Sequence, residues 1–285
     1  MDQPLDRRRI RVDGRRLLIS APAGDPFLAR YGRGAAMAGF GTFCRENLPR
    51  DGVMIDVGAN IGLTTLTAAR YIPGGRILAV EASPRNCTAL RDNLARHGVG
   101  IATVCACAAG DRAGHVSFFE NSAYGHVVTG AGMAAVPSVE QRLATVDDLV
   151  AEHGLTRVDL IKIDVEGFEQ EVLAGATATL DRFRPAVFLE FNSVCLIASF
   201  NRNPRQVLDW LLARFERAYV WRDGRLIDLR AMGEMAFLLE HLARHGGNDD
   251  LVLAGPGREL LVRDGGRLPA PTTRLQRVWS RLRGR

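Results

Sequence analysis

Residues 53–62, Val-Met-Ile-Asp-Val-Gly-Ala-Asn-Ile-Gly, constrain this chain more than any other stretch. An apolar run breaks into a Gly58-Ala59-Asn60-Ile61-Gly62 turn, and residues 63–71 follow with apolar side chains at helical spacing. Strand, glycine turn, helix is the entry unit of a doubly wound nucleotide-binding fold. Gly58 permits a sharp turn, and Gly62 lets the start of the helix lie close against the strand. Such a turn directs backbone N–H groups and the positive end of a helix at a ligand.

The spacing is not that of a dinucleotide fingerprint. G-x-G-x-x-G keeps a glycine where a pyrophosphate approaches the backbone, and here Asn60 holds that position. Asp56 adds a carboxylate at the mouth, which suits a cationic ligand better than a phosphate. S-adenosylmethionine (SAM) carries an ammonium and a sulfonium and no phosphate. The turn alone leaves SAM and NAD(P) both open.

The rest of the chain extends the α/β pattern. Strands are expected at 76–81, 101–109, 158–165 and 186–191, with a short last strand at 251–254. Helices are expected from the Ser83 cap to 97, from the Thr145 cap to 152, and over 169–180, 204–215 and 234–244. Hairpins are expected over 9–19, around Asp13-Gly14, and over 217–229, around Asp223-Gly224. A strand at 114–120 precedes residues 121–142, which read as a long loop; 192–203 reads as another. Successive βα units require parallel pairing. Three segments result: an N-terminal hairpin and cap over 1–48, a ligand-binding domain over 49–256, and a basic tail over 257–285.

Composition narrows the partners. The net charge is +5, but the excess sits at the ends, in Arg7, Arg8, Arg9 and Arg11 and in Arg277, Arg281, Arg283 and Arg285. That argues against a nucleic-acid-binding face. Five cysteines at sparse spacing make neither a disulfide framework nor a zinc site. Cys105 and Cys107 read as small apolar fillers, and a reducing cytoplasm is expected. No run reaches the length of a membrane span, and the N-terminus lacks the apolar core of a signal peptide. Leu275, Val278, Trp279 and Leu282 admit a short amphipathic helix for a membrane surface, with a solvated end the favoured reading.

In an open α/β sheet, ligands bind outside the carboxyl ends of the strands. Those ends carry acids: Asp56, Glu81, Asp111, Asp164 with Glu166, and Glu190. Glu81 is placed to accept both hydroxyls of a ribose, which serves NAD and SAM equally. Asp111 is a candidate acceptor for an adenine amino group. Lys162 and Asp164 share one strand face, and a buried lysine needs a partner, for which Glu190 is a candidate. Asp164 is placed to act as a general base, to orient a substrate hydroxyl or to help hold a divalent metal ion. His115, His126 and His153 have no spacing that marks a base and read as surface residues.

Three stretches resemble the FkbM family of SAM-dependent methyltransferases: residues 55–62; Val80-Glu81-Ala82-Ser83-Pro84 with Asn86 and Asn93; and Asp159-Leu160-Ile161-Lys162-Ile163-Asp164-Val165-Glu166-Gly167-Phe168-Glu169. Residues 143–149 resemble the family more weakly, with Val146 in place of a leucine. The resemblance implies a class I methyltransferase fold: a Rossmann-like seven-stranded sheet, mostly parallel with an antiparallel last strand, and helices on both faces. It implies SAM as donor and a free hydroxyl on a sugar, glycan or secondary metabolite as acceptor. Asp56, Gly58 and Asn60 would line the methionine end, with Gly62 and Ala82 beside them, and Glu81 would hold the ribose. Lys162, Asp164 and Glu166 form the catalytic set. An NAD(P)-binding oxidoreductase and a non-catalytic SAM-binding scaffold are the alternatives.

Overall fold

The structure is a computed structural model. It describes residues 4–25, 28, 35–121, 125–128, 138–222 and 224–261. Asp223 and the tail residues Leu275, Val278, Trp279 and Leu282 lie outside the described residues.

The chain opens with an antiparallel hairpin, β1 (Leu5–Val12) and β2 (Arg15–Pro22). Asp13 and Gly14 both take positive φ, as a two-residue turn of this hand requires. Strand β3 (Ala35–Ala36) pairs with β1, and the helix Ala38–Asn47 leads to the core. Then come β4 (Val53–Val57), the helix Leu63–Tyr71, β5 (Arg76–Glu81), the helix Pro84–Arg96 and β6 (Ala102–Ala106). The Ser83 hydroxyl caps its helix by accepting the Asn86 N–H, with Pro84 at the first position. Strands β7 (Ala108–Ala109), β8 (Gly114–Phe119), β9 (His126–Val127) and β10 (Val139–Ala144) follow. Thr145 and Asp148 then form a capping box on the helix Val146–Glu152. The second half holds β11 (Leu160–Ile163), β12 (Ala186–Asn192), β13 (Arg217–Arg222), β14 (Arg225–Asp228) and β15 (Asn248–Ala254), with helices between them.

The main sheet runs β14-β13-β15-β12-β11-β4-β5-β6. Strands β12, β11, β4, β5 and β6 are parallel, and β15 inserts antiparallel between β12 and β13. This is the expected fold class with one strand added: β14, the outer half of the second hairpin, makes eight rather than seven. Strand order reverses at β4, because β5 and β6 lie on one side of it and β11 and β12 on the other. A crevice therefore opens at its carboxyl end. Alternation splits the core between two faces. Ile55, Val80, Ile161, Val187 and Leu251 pack on one side; Met54, Ile77, Leu160, Phe188 and Val252 pack on the other, with Phe40, Phe43 and Trp221. The N-terminal hairpin packs on the helix Pro84–Arg96. Asn93 ties the two by bonding Ser20 N–H and C=O (2.7 and 2.8 Å) and the Ile61 carbonyl (2.8 Å).

Several expectations change. The third core strand stops at Ala106, and β7 joins a second sheet, β7-β10-β8-β9, so residues 121–142 hold strands and not only loop. Strand β10 was masked because Glu140, Gln141 and Arg142 break the apolar alternation, with only Leu143 and Ala144 buried. The helix expected over 169–180 is two, Glu169–Ala174 and Thr177–Phe183. Gly175 sits at the break as the C-cap of the first, where a Cβ would lie 1.9 Å from the Gly110 carbonyl oxygen. Residues 192–203 hold the helix Ser193–Phe200, capped by Asn192, which accepts the N–H groups of Val194 and Cys195. Strand β15 begins at Asn248, ahead of the expected 251. Pairing of all three residues with β12, and of Asp250 with β13 as well, overrides the poor strand propensity of Asn-Asp-Asp.

Candidate active site

A cavity of about 670 Å³ opens where β4, β5, β11 and β12 end and antiparallel β15 begins. The β4 turn forms one wall. Gly58 has φ +76°, and a Cβ there would lie 1.9 Å from the Asp164 carbonyl oxygen, so only glycine lets the two loops meet. Asn60 takes the left-handed conformation at φ 51°. Its N–H donates to Glu81 Oε2 (2.7 Å), while the Ser83 N–H donates to Oε1 (2.8 Å). Glu81 lines the cavity with this fixed carboxylate. Burial pushes its pKa up, against the pull of the Ser83 and Asn60 N–H groups and the Asn86 amide. Ala82 lines the same wall.

Three sequence-predicted cofactor residues lie elsewhere. Asp56 is fully buried beneath the cavity rather than at its mouth; its Oδ2 accepts the Thr64 and Thr65 hydroxyls (2.7 and 2.6 Å). Gly62 caps the next helix, where a Cβ would lie 2.5 Å from Leu90 Cδ1, so its close approach is to a neighbouring helix and not to the strand. Asp111 is exposed, pairs with Arg112 (3.0 Å) and is not among the lining residues, because the chain has already left the main sheet.

The opposite wall is acidic. Lys162 stands in register with Asp56, 3.8 Å from its Oδ1. Its ammonium donates to Asp164 Oδ2 (3.1 Å) and to the Gly58 carbonyl (3.2 Å). Burial works against the charge, but Asp164 and Asp56 outweigh it and hold the Lys162 pKa above the ordinary lysine value. Glu190 is not its ion-pair partner: Glu190 Oε1 accepts from Asn248 (2.8 Å), and Oε2 is buried with no hydrogen-bond partner among the described residues. Glu166 accepts the Cys195 thiol (2.8 Å) and the Asn192 amide (3.4 Å). Burial and then Asp164 raise its pKa to about 7. The same two causes raise Asp250 to about 7. Glu169 stays behind the wall and braces the loop by accepting the Val165 and Gly167 N–H groups (3.3 and 3.0 Å). Asp164, Glu166 and Glu190 each bring a ligand oxygen within 4.8 Å of the others, an arrangement able to hold a divalent cation.

Some lining residues escaped the sequence. Asn248 and Asp250 reach the cavity because β15 runs antiparallel, which puts its amino end beside the carboxyl end of β12; the expected antiparallel last strand was the available signal. His126 lines the cavity, edge-on to Phe119 with ring centroids 5.5 Å apart, rather than lying at the surface. Phe118, Phe168, Phe188 and Trp221 add aromatic lining, and residues 37–40 close one side. His115 is exposed. A separate buried network, Ser193 Oγ to His241 Nε2 (2.7 Å) and His241 Nδ1 to Asp249 Oδ2 (2.8 Å), lies outside the lining and is anchored by Arg222.

Residues 56–220, more than half of the chain, match the model of the methyltransferase FkbM domain. The chain belongs to the FkbM methyltransferase family. The 31-O-demethyl-FK506 methyltransferase FkbM of Streptomyces tacrolimicus is 32% identical over 153 residues, covering 43% of this chain and 58% of that protein. The 2-O-methyltransferase NoeI of Sinorhizobium fredii is 28% identical over 152 residues, covering 47% of this chain and 61% of that protein. The chain thus spans less than two thirds of the length of either relative. The solved methyltransferase FkbM of Methylobacillus flagellatus aligns over 72% of this chain and 44% of its own, at 16% identity and a TM-score of 0.46. The family match holds Glu81, Lys162, Asp164, Glu166 and Glu190, and it ends before Asn248 and Asp250.

Proposed function

We propose that the cavity binds SAM and that the chain transfers its methyl group to a hydroxyl of a small-molecule or glycan acceptor. The observation that carries this reading is the charge of the lining. Glu81, Asp164, Glu166, Glu190 and Asp250 face the cavity, and Lys162 is the one Lys or Arg among the described lining residues. Lys162 is itself committed to Asp164 and Asp56. A pyrophosphate would meet carboxylates there, whereas a cationic, phosphate-free donor fits them. Glu81 offers a fixed carboxylate to ribose hydroxyls, and Gly58, Asn60 and Ala82 lie beside it.

SAM, when bound, supplies a methyl group already activated on a sulfonium. The chain aligns donor and acceptor and removes a proton. Gly58 against Asp164 brings the two walls together. Lys162 holds Asp164 Oδ2, and the Asp164 carboxylate takes the proton of the acceptor hydroxyl, with Glu166 beside it. Phe118, His126 and Trp221 offer aromatic faces to the body of an acceptor such as a sugar or secondary metabolite.

A second reading is favoured by the buried Oε2 of Glu190, which has no hydrogen-bond partner among the described residues: Asp164, Glu166 and Glu190 would hold a divalent cation, which would supply Lewis-acid chemistry at the acceptor side. A rise in thermal midpoint with Mg²⁺, lost in Glu190→Gln, supports it. The main reading is tested by calorimetry with SAM, S-adenosylhomocysteine and NAD, followed by labelled methyl transfer to a panel of hydroxylated acceptors. Binding of NAD without SAM would point to the oxidoreductase. SAM binding without transfer to any acceptor would favour a scaffold.

A further inference from the structure

We propose that Cys105 and Cys107 are a peroxide-responsive modification site that closes into an intrachain disulfide at the cavity wall. Their sulfurs lie 3.4 Å apart. An extended strand does not bring i and i+2 so close, because two residues advance the chain by about 6.6 Å. Here the Cys107 N–H donates to the Cys105 carbonyl (3.1 Å), a γ-turn centred on Ala106. That turn is where the chain leaves the main sheet, between the end of β6 and the start of β7. It draws the two side chains toward the separation that a disulfide spans.

The two thiols differ. Cys105 is half-buried and Cys107 buried. The Cys107 thiol, then the His153 side chain and the charge of Arg142, hold Cys105 below the ordinary thiol range despite its burial. The hydrogen bond shared with Cys105, and burial after that, push Cys107 up. Cys105, the more exposed sulfur, is the one a peroxide reaches, and the buried Cys107 beside it is placed to resolve it. The Cys105 thiolate attacks hydrogen peroxide: an S–O bond forms, the O–O bond breaks, and the departing hydroxide is protonated to water. The Cys107 sulfur then attacks the Cys105 sulfur. The S–S bond forms, the S–O bond breaks, and the hydroxide leaves with the Cys107 proton as a second water. Both sulfurs are oxidised and the peroxide is reduced.

Cys107 lines the cavity beside Ala108 and Ala109, and Cys105 does not. Closing the gap from 3.4 Å to about 2.05 Å pulls the Cys107 sulfur off that wall. Weaker SAM binding by the oxidised protein is the consequence, a step that rests on the function proposed above.

The full chain is titrated with hydrogen peroxide, blocked with N-ethylmaleimide and digested with trypsin. One peptide, residues 97–112, carries both cysteines. The expected result is loss of two hydrogens and of both alkylations on that peptide, reversed by dithiothreitol, while Cys44, Cys87 and Cys195 stay alkylated. Cys107→Ser should stop at a dimedone-reactive sulfenic acid on Cys105, and Cys105→Ser should leave Cys107 alkylatable. Oxidation of Cys105 to the sulfinic acid with Cys107 still alkylated would overturn the pair, as would earlier oxidation of the other three cysteines. Calorimetry with SAM on reduced and oxidised protein should show several-fold weaker binding after oxidation; equal affinities would overturn the link to the cavity. Failure of the reduced protein to bind SAM would count against the proposed function, and the peptide result would still decide the thiol pair.

Discussion

The two walls of the cavity are both acidic, yet they treat their carboxylates in opposite ways. On the β4–β5 wall, Glu81 is gripped through both oxygens by backbone N–H groups. Its geometry is set before any ligand arrives. On the β11–β12–β15 wall, Asp164, Glu166, Glu190 and Asp250 all line the cavity, and only Asp164 is held by the one ammonium, Lys162. Burial, and after it the charge of Asp164, push the pKa values of Glu166 and Asp250 up to about 7 there. The first wall suits fixed recognition, and the second suits chemistry in which charge or a proton changes place.

Five experiments can break or sharpen that contrast. Asp164→Asn should cut methyl transfer by about 10²–10⁴-fold, the usual worth of a general base, with SAM affinity by calorimetry kept; full turnover would remove Asp164 from the chemistry. Lys162→Met should lower stability in urea by about 3–5 kcal/mol, since it leaves Asp56 buried without a counter-charge. Glu81→Ala removes hydrogen bonds to a charged group worth about 1.5–3 kcal/mol each; SAM binding should weaken by about tenfold or more while turnover at saturating SAM changes little. An equal loss of turnover would erase the division of labour.

The fourth experiment uses pH. Glu166 and Asp250 have raised folded-state pKa values, so the folded protein binds more protons than the unfolded chain. Their contribution to stability is present in acid and is lost as pH rises from about 4 to about 7. Glu166→Gln should flatten that slope by an amount on the order of 2 kcal/mol in urea titrations at pH 5 and pH 8. Asp111→Ala should have the smallest effect, within about 0.5 kcal/mol, with SAM affinity unchanged; weakened binding would return Asp111 to the site.

What the sequence disclosed follows the same division. The β4 turn, the Ser83 cap and the acids at 81, 164 and 166 depend on local chemistry, and local chemistry is written in neighbouring residues. Asp111 misled because a turn after a strand marks the cavity only if the strand stays in the main sheet, and the chain departs at Cys107. Glu190 lies on the strand next to Lys162, but the register sets Lys162 beside Phe188, and Asn248 from β15 engages Glu190 instead. His126, Phe118 and Asp250 arrive through the second sheet and the antiparallel strand. The pairing of Asp250 with Glu190 joins residues distant in sequence, and the pairing of His126 with Phe119, though close in sequence, has no apolar alternation around 126 to announce it.

The contact of Gly58 with the Asp164 carbonyl, reinforced from the same side by Lys162 on the Gly58 carbonyl, has a consequence for how such a protein can be altered. The two walls share one backbone joint and cannot be adjusted separately. A designer seeking a different acceptor should leave residues 56–64 and 162–169 alone and rebuild the periphery instead. There the cavity-facing Phe118 and His126 of the small sheet are the positions to vary, while the helix Ser193–Phe200 stays because its Cys195 donates to Glu166.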